Sequence, residues 1–568
     1  MSADWFEQAF KPAPTFDRRG FLQLTGGLAG LALLAGLPGD MAHSAPKLGG
    51  DPFTLGIASG DPAPDGVVLW TRLAPRPLEA DGGMPSVRVP VNWQVAGDRM
   101  MQRVVRRGTA LASPELAHSV HVEVEGLEPA REYYYQFKVG AELSPIGRTR
   151  TAPARDARVD QLTFAFASCQ AWSDGYYSAY RRMAEEDLDL VVHLGDYIYE
   201  YGIEASGGAR DVSVPDQFRD ETVSLDRYRL QHALYKTDPD LQRAHARFPW
   251  IVTWDDHEVQ NDYTDDVPQQ SDPPENTPSR EQFLARRTAA YRAYYEYLPL
   301  RRTSLPQGPD MPIYRRLKYG DLAEFSVLDT RQYRSDHPCG DGETAGCAAA
   351  LDPSQTMTGP AQERWLLDGL GSSSARWNVI AQQVLMAQLD HKAGQGEIFW
   401  NDAWDGYPAA RNRILSHLAT RNVSNPMVLT GDWHSTFVND LKMDFKDPDS
   451  ATIASEFVCT SISTNGDEDV YGPYYGPKVL ENPHIKFFDG DRRGYIRCTV
   501  DHDRWVSDLR MVTTVSRLDA PVYTLASFVV ENGSPGPQIQ SVYDQPVEDV
   551  GELLPTDLPQ TGAGGLSK

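Results

Sequence analysis

The chain has 568 residues, of which 41% are hydrophobic, 23% charged and 10% aromatic. This composition excludes a disordered polymer, a collagen-like fibre and a small protein held together by disulfides, and the length suffices for one large core or about two to four domains. Lys and Arg total 54 against 79 Asp and Glu, so the formal charge of −25 argues against specific nucleic-acid recognition and means that any phosphate-binding site must supply its own positive charge.

The first predicted segment is an export signal. Arg18 and Arg19 are followed by Gly20-Phe21-Leu22 and by a glycine-containing apolar run over residues 24–37, a pattern typical of twin-arginine signals. The run is shorter than the ~20 residues that a membrane span needs. We therefore expect residues 1–44 to be removed after export by the twin-arginine machinery, which leaves a periplasmic or extracellular protein with no stable membrane anchor.

A small β domain is predicted over residues 51–153. Short β-rich runs with turn residues between them favour an antiparallel sandwich of the fibronectin or immunoglobulin type. The segment 126–135 resembles the turn into a late strand of fibronectin-type sandwiches, in which a tyrosine folds back onto the preceding loop. The predicted strands are 66–72, 87–95, 118–125 and 132–139.

A second, larger α/β domain is predicted over residues 159–532. Mostly apolar runs indicate strands that are covered on both faces, and a helical segment at 177–186 joins the first two of them into a βαβ unit. Segments 201–247 and 267–281 are predicted insertions, and residues 545–568 form an acidic tail. The predicted buried strands are 162–169, 188–196, 249–256, 323–329, 377–381 and 426–432.

Several of these strands end on side chains that bind metals. Open α/β sheets place their ligands at the carboxyl ends of strands, and a converging cluster of buried carboxylates is tolerated only if a cation neutralises it. Carboxylates suit hard cations such as calcium, whereas a thiolate, an imidazole and a phenolate suit a transition metal, the phenolate favouring ferric iron. The pattern therefore predicts two different metals side by side. The candidate ligands are Cys169, Asp196, Tyr199, Asp256, Asp432 and His434.

These strand ends carry a family resemblance. The blocks 195–199 (GDYIY), 254–258 (WDDHE) and 431–434 (GDWH) resemble those of calcineurin-like and purple-acid-type metallophosphoesterases, and the variant with Ser168-Cys169 resembles the alkaline phosphatase D (PhoD) family. Segments 55–62, 67–75 and 328–334 are also similar to that family's signatures. The resemblance spans about 51–532 and implies an α/β/β/α sandwich behind the β domain.

The resemblance also implies a ligand set. Cys169, Asp196, Tyr199 and His434 would hold Fe3+, and Asp196, Asp256 and Asp432 would hold one or two Ca2+ ions, with Asn261 as a further contributor. A purple-acid-type enzyme has Asp, Asn and His where this chain has Cys169, Asp256 and Asp432. The last two exchanges replace neutral donors with carboxylates, which favours calcium over zinc.

The five cysteines are consistent with a metal ligand among them. Cys339 and Cys347 enclose a short glycine-rich loop that an oxidising compartment would allow to close as a disulfide. Cys459 and Cys498 either pair or stay as buried thiols. Cys169 is the odd cysteine left over.

We predict an enzyme that hydrolyses phosphate esters by attack of a metal-activated hydroxide, most simply an alkaline phosphatase acting as a monomer. Asp196 is its central metal-bridging residue. His257 is either a proton donor to the leaving group or a structural histidine, and Arg331 contacts either the phosphate or a carboxylate. The alternatives are a phosphodiesterase or phospholipase D and, in another class, a non-catalytic calcium-stabilised binding protein.

Overall fold

The computed structural model describes residues 48–271 and 273–543. The predicted export signal and the acidic tail lie outside the described residues. Within the described part, no helix is both long and apolar enough to cross a membrane. The helices are α1 (Ser178–Met183), α2 (Leu225–Lys236), α3 (Pro239–Arg247), α4 (Arg280–Tyr297), α5 (Gly359–Ser372), α6 (Pro408–Thr420) and α7 (Tyr471–Val479).

The strands form two large sheets and two smaller ones. They are β1 (Ile57–Ala63), β2 (Gly66–Arg72), β3 (Val89–Ala96), β4 (Val104–Ala112), β5 (Ser119–Val124), β6 (Glu132–Val139), β7 (Glu142–Leu143), β8 (Gly147–Arg150), β9 (Leu162–Ala167), β10 (Leu190–His193), β11 (Pro249–Val252), β12 (Arg315–Tyr319), β13 (Ala323–Val327), β14 (Glu343–Thr344), β15 (Trp377–Ala381), β16 (Phe399–Trp400), β17 (Pro426–Thr430), β18 (Thr436–Lys442), β19 (Thr452–Val458), β20 (Ile485–Asp489), β21 (Arg493–Val500), β22 (Arg504–Val512), β23 (Val522–Glu531) and β24 (Ser534–Val542).

Two large sheets pack face to face. One has ten strands in the order β24-β23-β22-β21-β9-β10-β11-β1-β2-β5, and the other has seven in the order β12-β13-β15-β17-β19-β18-β20. In the core between them, the Phe164 ring lies 5.4 Å from Phe325 and 5.5 Å from Trp505 in edge-to-face contacts. Buried side chains of α1 to α4 cover the outer face of the first sheet, and those of α5 and α6 cover that of the second. The predicted α/β/β/α sandwich is confirmed.

The amino-terminal strands form the predicted sandwich. Strands β1, β2 and β5 make one layer, and β4, β3, β6 and β8 make the other. The Glu128 N–H donates to Tyr133 Oη at 2.9 Å, so the tyrosine folds back onto the loop before β6 as the sequence predicts.

Strand β1 also joins this sandwich to the α/β part of the ten-stranded sheet, a link that the sequence does not reveal. It pairs in parallel with β11, Gly60 lying opposite Trp250. A Cβ atom on Gly60 would lie 2.5 Å from the Pro299 carbonyl oxygen, so the close approach of these backbones requires glycine.

The parallel strands β9, β10 and β11 all end at one edge of the first sheet, and β17 ends at the adjoining edge of the second. Each of these four strands ends two to four residues earlier than predicted, because the chain turns before it reaches the candidate ligands. Cys169, Asp196 and Asp432 have φ angles of 58°, 55° and 60°, which a strand cannot accommodate.

The cysteines divide into one pair and three thiols. Cys339 and Cys347 form a disulfide. Cys169, Cys459 and Cys498 are free and buried. Of the two alternatives for Cys459 and Cys498, the structure therefore shows buried thiols.

Candidate metal centre

The backbone at the candidate centre is strained. Besides Cys169, Asp196 and Asp432, His434 takes a positive φ of 52°. Left-handed conformations at non-glycine residues cost energy and persist where the surroundings impose them. Here the Cys169 N–H donates to the Gly195 carbonyl at 3.1 Å, which ties the loops after β9 and β10 together.

The first donor set combines four different ligand types. Ligand atoms of Cys169, Asp196 and His434 lie within 4.8 Å of one another. Tyr199 Oη lies 2.9 Å from Asp196 Oδ2 and 3.0 Å from His434 Nε2, so it belongs to the same set. The structure therefore brings together all four residues predicted to surround iron.

The protonation of this set depends on burial. Burial and the Asp196 carboxylate raise the pKa of the Cys169 thiol well above its usual value. Burial and the same carboxylate raise the pKa of Tyr199. Burial and the nearby His257 lower the pKa of His434 to about 3, so this imidazole is neutral and able to bind a metal. Thiolate and phenolate forms need a strong cation to stabilise them.

The Asp196 carboxylate carries a second indication of a cation. Its Oδ1 atom is buried and has no hydrogen-bond partner among the described residues. Burial raises the pKa of this group to about 7, although His257 lowers it. A buried acceptor without a partner is costly, and a metal ion would complete its coordination.

The second donor set consists of carboxylates. Ligand atoms of Asp255, Asp256 and Asp432 lie within 4.8 Å of one another, as do those of Asp256, Asp262 and Asp402. Burial and the neighbouring Asp255 raise the pKa of Asp432 well above its usual value. All-oxygen donors and excess negative charge fit a hard divalent cation.

His257 lies where both sets meet. Its ligand atom is within 4.8 Å of those of Asp196 and Asp256, and its Nδ1 lies 2.7 Å from Glu200 Oε2. Burial alone would lower its pKa, but the Glu200, Asp256 and Asp196 carboxylates raise the pKa of His257 well above its usual value. The backbone N–H of Asn261 donates to the other Glu200 oxygen at 2.8 Å, which places Asn261 beside this histidine.

Arg331 is wholly buried, and its guanidinium is paired with carboxylates. Nε donates to Asp255 Oδ1 at 2.5 Å, and Nη1 donates to both Asp402 oxygens at 2.8 and 2.7 Å. Of the two predicted alternatives, the structure shows the carboxylate ion pair. A direct contact with the substrate phosphate stays a prediction.

A cavity of about 290 Å³ opens beside the first donor set. Its lining includes four residues of the candidate centre, Tyr199, His257, Asn261 and His434. Further lining residues are Tyr201, Tyr235, Gln231, Asn465 and Asp174. Its described lining contains no Lys or Arg. His257, whose pKa the surrounding carboxylates raise, is therefore the one basic side chain in this described lining besides the neutral His434, and the remaining charge of a phosphate group must be neutralised by bound cations.

Several buried polar residues of this centre receive no individual role from the sequence, although Glu258 belongs to the predicted block 254–258. Glu258 accepts backbone N–H bonds from Tyr197 at 2.6 Å and Asp255 at 2.9 Å, which joins two strand ends. Glu200 directly follows the predicted block 195–199, so its position next to that block is a usable signal. Asp402 follows a two-residue strand, and no local pattern points to it.

Comparison with known proteins decides the family. The sequence model described as "PhoD-like phosphatase" matches residues 164–509, more than half of the chain. The chain belongs to the PhoD-like phosphatase family. The model of this family's amino-terminal domain matches residues 40–153, which contain the predicted β-sandwich.

Two relatives of this PhoD-like phosphatase cover most of it. Alkaline phosphatase D of Bacillus subtilis (strain 168) is 48% identical over 530 residues, which are 92% of this chain and 89% of the relative. A solved structure titled "Structure of PhoD" superposes with a TM-score of 0.82 at 48% identity and covers 88% of this chain and 94% of that one. The protein is therefore a phosphoric ester hydrolase, and the non-catalytic alternative is set aside.

Proposed function

We propose that this phosphoesterase works with one ferric ion and one or two calcium ions, and that it releases inorganic phosphate from phosphomonoesters. The observation that carries the proposal is the division of the donors. Cys169, Tyr199 and His434 surround one side of Asp196. On the other side, Asp256 is the neighbouring carboxylate and His257 lies beside it, and the further carboxylates of the second donor set follow. This division matches an iron site and a calcium site that share one bridging residue.

The donor sets support the assignment of each metal. Calcium needs neither a thiolate nor a phenolate, so the first set suits Fe3+ better. Asp256 and Asp432 offer carboxylate oxygens where a zinc enzyme offers amide and imidazole donors, so the second set suits Ca2+ better. We propose Asn261, which lines the same cavity as His257, as a further oxygen ligand of the calcium site.

The chain's own residues have separate tasks in the proposed reaction. When bound, the two kinds of cation supply a hydroxide near neutral pH and neutralise phosphate oxygens. His257, held at Nδ1 by Glu200 and kept protonated by the surrounding carboxylates, donates a proton to the leaving alkoxide. Arg331 fixes the orientation of Asp255 through the 2.5 Å hydrogen bond from its Nε.

We further propose that the enzyme acts outside the cytoplasm as a monomer. The twin-arginine pattern at Arg18 and Arg19 supports export. The disulfide between Cys339 and Cys347 supports an oxidising compartment. The match to the amino-terminal family domain starts at residue 40, which is consistent with a separate segment before it.

The function is tested by metal removal and add-back. The protein is purified from an export-competent host, treated with a chelator, and assayed on a chromogenic phosphomonoester and a phosphodiester. We expect activity to be lost and to return only with iron and calcium together, with the monoester as the better substrate. A preference for the diester would favour the phosphodiesterase or phospholipase D alternative.

Two variants and one control refine this test. Cys169→Ala and Asp196→Ala are expected to abolish turnover. Cys498→Ala removes an equally buried thiol from the core between the sheets and is expected to keep it. Full activity of Cys169→Ala, or recovery of the chelated enzyme with zinc alone, would contradict the proposed metal pair.

A further inference from the structure

Asp402 is a buried carboxylate that lies beside Asp256 and Asp262 and is paired with basic side chains. It lies just after β16 and is 1% exposed. Its oxygens accept from Arg331 Nη1 at 2.8 and 2.7 Å and lie 3.0 Å from Arg334 Nη2 and 3.0 Å from His337 Nε2. All its side-chain partners come from the short segment 331–337, so Asp402 holds that segment against the second donor set.

The Nη2 atom of Arg331 shows why the position of this guanidinium matters. Nη2 is buried and has no hydrogen-bond partner among the described residues. It lies 3.7 Å from Asp256 Oδ2 and 3.8 Å from Asp432 Oδ1, just beyond hydrogen-bond distance of two predicted calcium ligands. A shift of roughly 1 Å would turn these approaches into charge-assisted hydrogen bonds.

Such a shift would be harmful to metal binding. A guanidinium stays positively charged under all conditions that a folded protein meets. If Arg331 formed ion pairs with Asp256 and Asp432, it would occupy their oxygens and repel a divalent cation. The structure therefore contains a fixed positive charge that competes with the cation unless another carboxylate restrains it.

We propose that Asp402 is a positioning residue that holds Arg331 back from Asp256 and Asp432, so that these two carboxylates stay free for a divalent cation. The proposal rests on the proposed calcium site. Asp255 holds the guanidinium by accepting the hydrogen bond from Nε. Asp402 holds it by accepting from Nη1 with both carboxylate oxygens.

The loop closed by the disulfide between Cys339 and Cys347 contacts the backbone next to Asp402. The neighbouring Asn401 donates its backbone N–H to the Gly342 carbonyl at 3.0 Å and its side-chain Nδ2 to the Gly340 carbonyl at 2.8 Å. Strand β14, inside the loop closed by Cys339 and Cys347, pairs with β16. The covalent loop therefore fixes the backbone that carries Asp402, and opening it should loosen the same restraint.

One rival explanation uses the same residue. Asp402 lies within 4.8 Å of Asp256 and Asp262 by its ligand atoms, so it is also a possible direct ligand. The two roles predict opposite results when Arg331 is removed as well. A restraint is needed only while the guanidinium is present, whereas a ligand is needed whether or not it is present.

The test measures calcium binding rather than turnover. Full-length mature protein, dialysed against a calcium chelator, is titrated with Ca2+ in a calorimeter. We expect Asp402→Asn to weaken binding about 10- to 100-fold, the equivalent of one or two charged hydrogen bonds gained by Arg331. The double variant Asp402→Asn with Arg331→Gln is expected to regain nearly all of the wild-type affinity.

Two further variants serve as a control and as a substitute for Asp402→Asn. Asp405→Asn breaks a neighbouring buried ion pair, that of Asp405 with Arg411 at 2.6 Å, and is expected to bind calcium normally. If Asp402→Asn does not fold, the variant Cys339→Ser with Cys347→Ser replaces it. This variant is expected to weaken binding about threefold, a part of the charged hydrogen-bond effect, and Arg331→Gln is expected to reverse the loss.

Each other outcome overturns the proposal in a recognisable way. Wild-type affinity in both Asp402→Asn and the disulfide variant would show that no restraint is needed. A double variant as weak as the single one would make Asp402 a ligand or a purely structural residue. A wild-type protein that binds no calcium would overturn the proposed calcium site together with this role.

Discussion

Replacing Tyr199 with phenylalanine tests the iron site through a single atom. The hydroxyl lies at the centre of three polar contacts, 2.9 Å from Asp196 Oδ2, 3.0 Å from His434 Nε2 and 3.0 Å from Thr464 Oγ1. The ring itself is packed and 6% exposed. The substitution therefore removes a hydrogen-bonding group and a predicted metal ligand, and leaves the ring in place.

The expected loss of stability follows from those contacts. A neutral hydrogen bond contributes about 0.5–1.5 kcal/mol and one to a charged group about 1.5–3 kcal/mol, and buried groups that lose a partner pay for desolvation. We therefore expect Tyr199→Phe to lower the unfolding free energy of chelator-treated protein by about 2–4 kcal/mol. Tyr177→Phe, which loses one hydrogen bond of 2.7 Å to the Gln170 carbonyl, should lose about 1 kcal/mol.

Two assays measure the effect. Urea unfolding of the chelator-treated proteins gives the difference in free energy. The visible spectrum of protein purified without chelator reports on a phenolate bound to ferric iron, which absorbs by charge transfer. We expect the phenolate band in wild type and in Tyr177→Phe, and we expect Tyr199→Phe to lose it and to keep only the absorption of the Cys169 thiolate on iron. A band of unchanged position and intensity in Tyr199→Phe would refute the assignment of Tyr199 to the iron.

Three further predictions concern the proton donor, acid stability and the core. His257→Asn should lower kcat about 100-fold or more for an alkyl phosphate but less for an aryl phosphate, whose leaving group needs no proton; equal losses would contradict a proton donor. Burial lowers the pKa of His121 to about 4. Below about pH 6.5 the unfolded state therefore binds a proton that the folded state does not. The free energy of unfolding then falls between pH 6.5 and 4 by up to about 3 kcal/mol. His121→Gln should reduce that loss in urea unfolding at pH 7 and pH 4.5, and an unchanged pH dependence would argue against it. Trp505→Ala should cost about 3–5 kcal/mol in the same assay, whereas Leu111→Ala, at a side chain that is 60% exposed, should cost less than about 0.5 kcal/mol.

The sequence predicts the candidate site well because its main residues follow buried strands. Apolar runs reveal β9, β10, β11 and β17, and parallel strands bring their carboxyl ends to one edge of a sheet. The predicted ends are nevertheless too long, since the chain leaves the sheet before the ligand residues, and Cys169, Asp196 and Asp432 adopt left-handed backbone conformations that a hydrophobic pattern does not show.

The parts that the sequence does not predict depend on long-range contacts. The pairing of β1 with β11 joins residues about 190 positions apart and requires that Gly60 has no Cβ atom. Asp402 lies in a segment without a strand or helix pattern, and only the folded chain brings it to Arg331. Glu258 is visible in its block, but its role in joining two strand ends depends on the backbone groups that surround it.

The central claim is that two different metals occupy two donor sets that share Asp196. Elemental analysis of protein purified without chelator tests it most directly, on wild type, Cys169→Ser and Asp256→Asn. We predict about one iron per chain and calcium in addition in wild type, with iron lost and calcium kept in Cys169→Ser and calcium lost and iron kept in Asp256→Asn. A wild-type protein without iron, or variants that lose both metals to the same extent, would contradict the account.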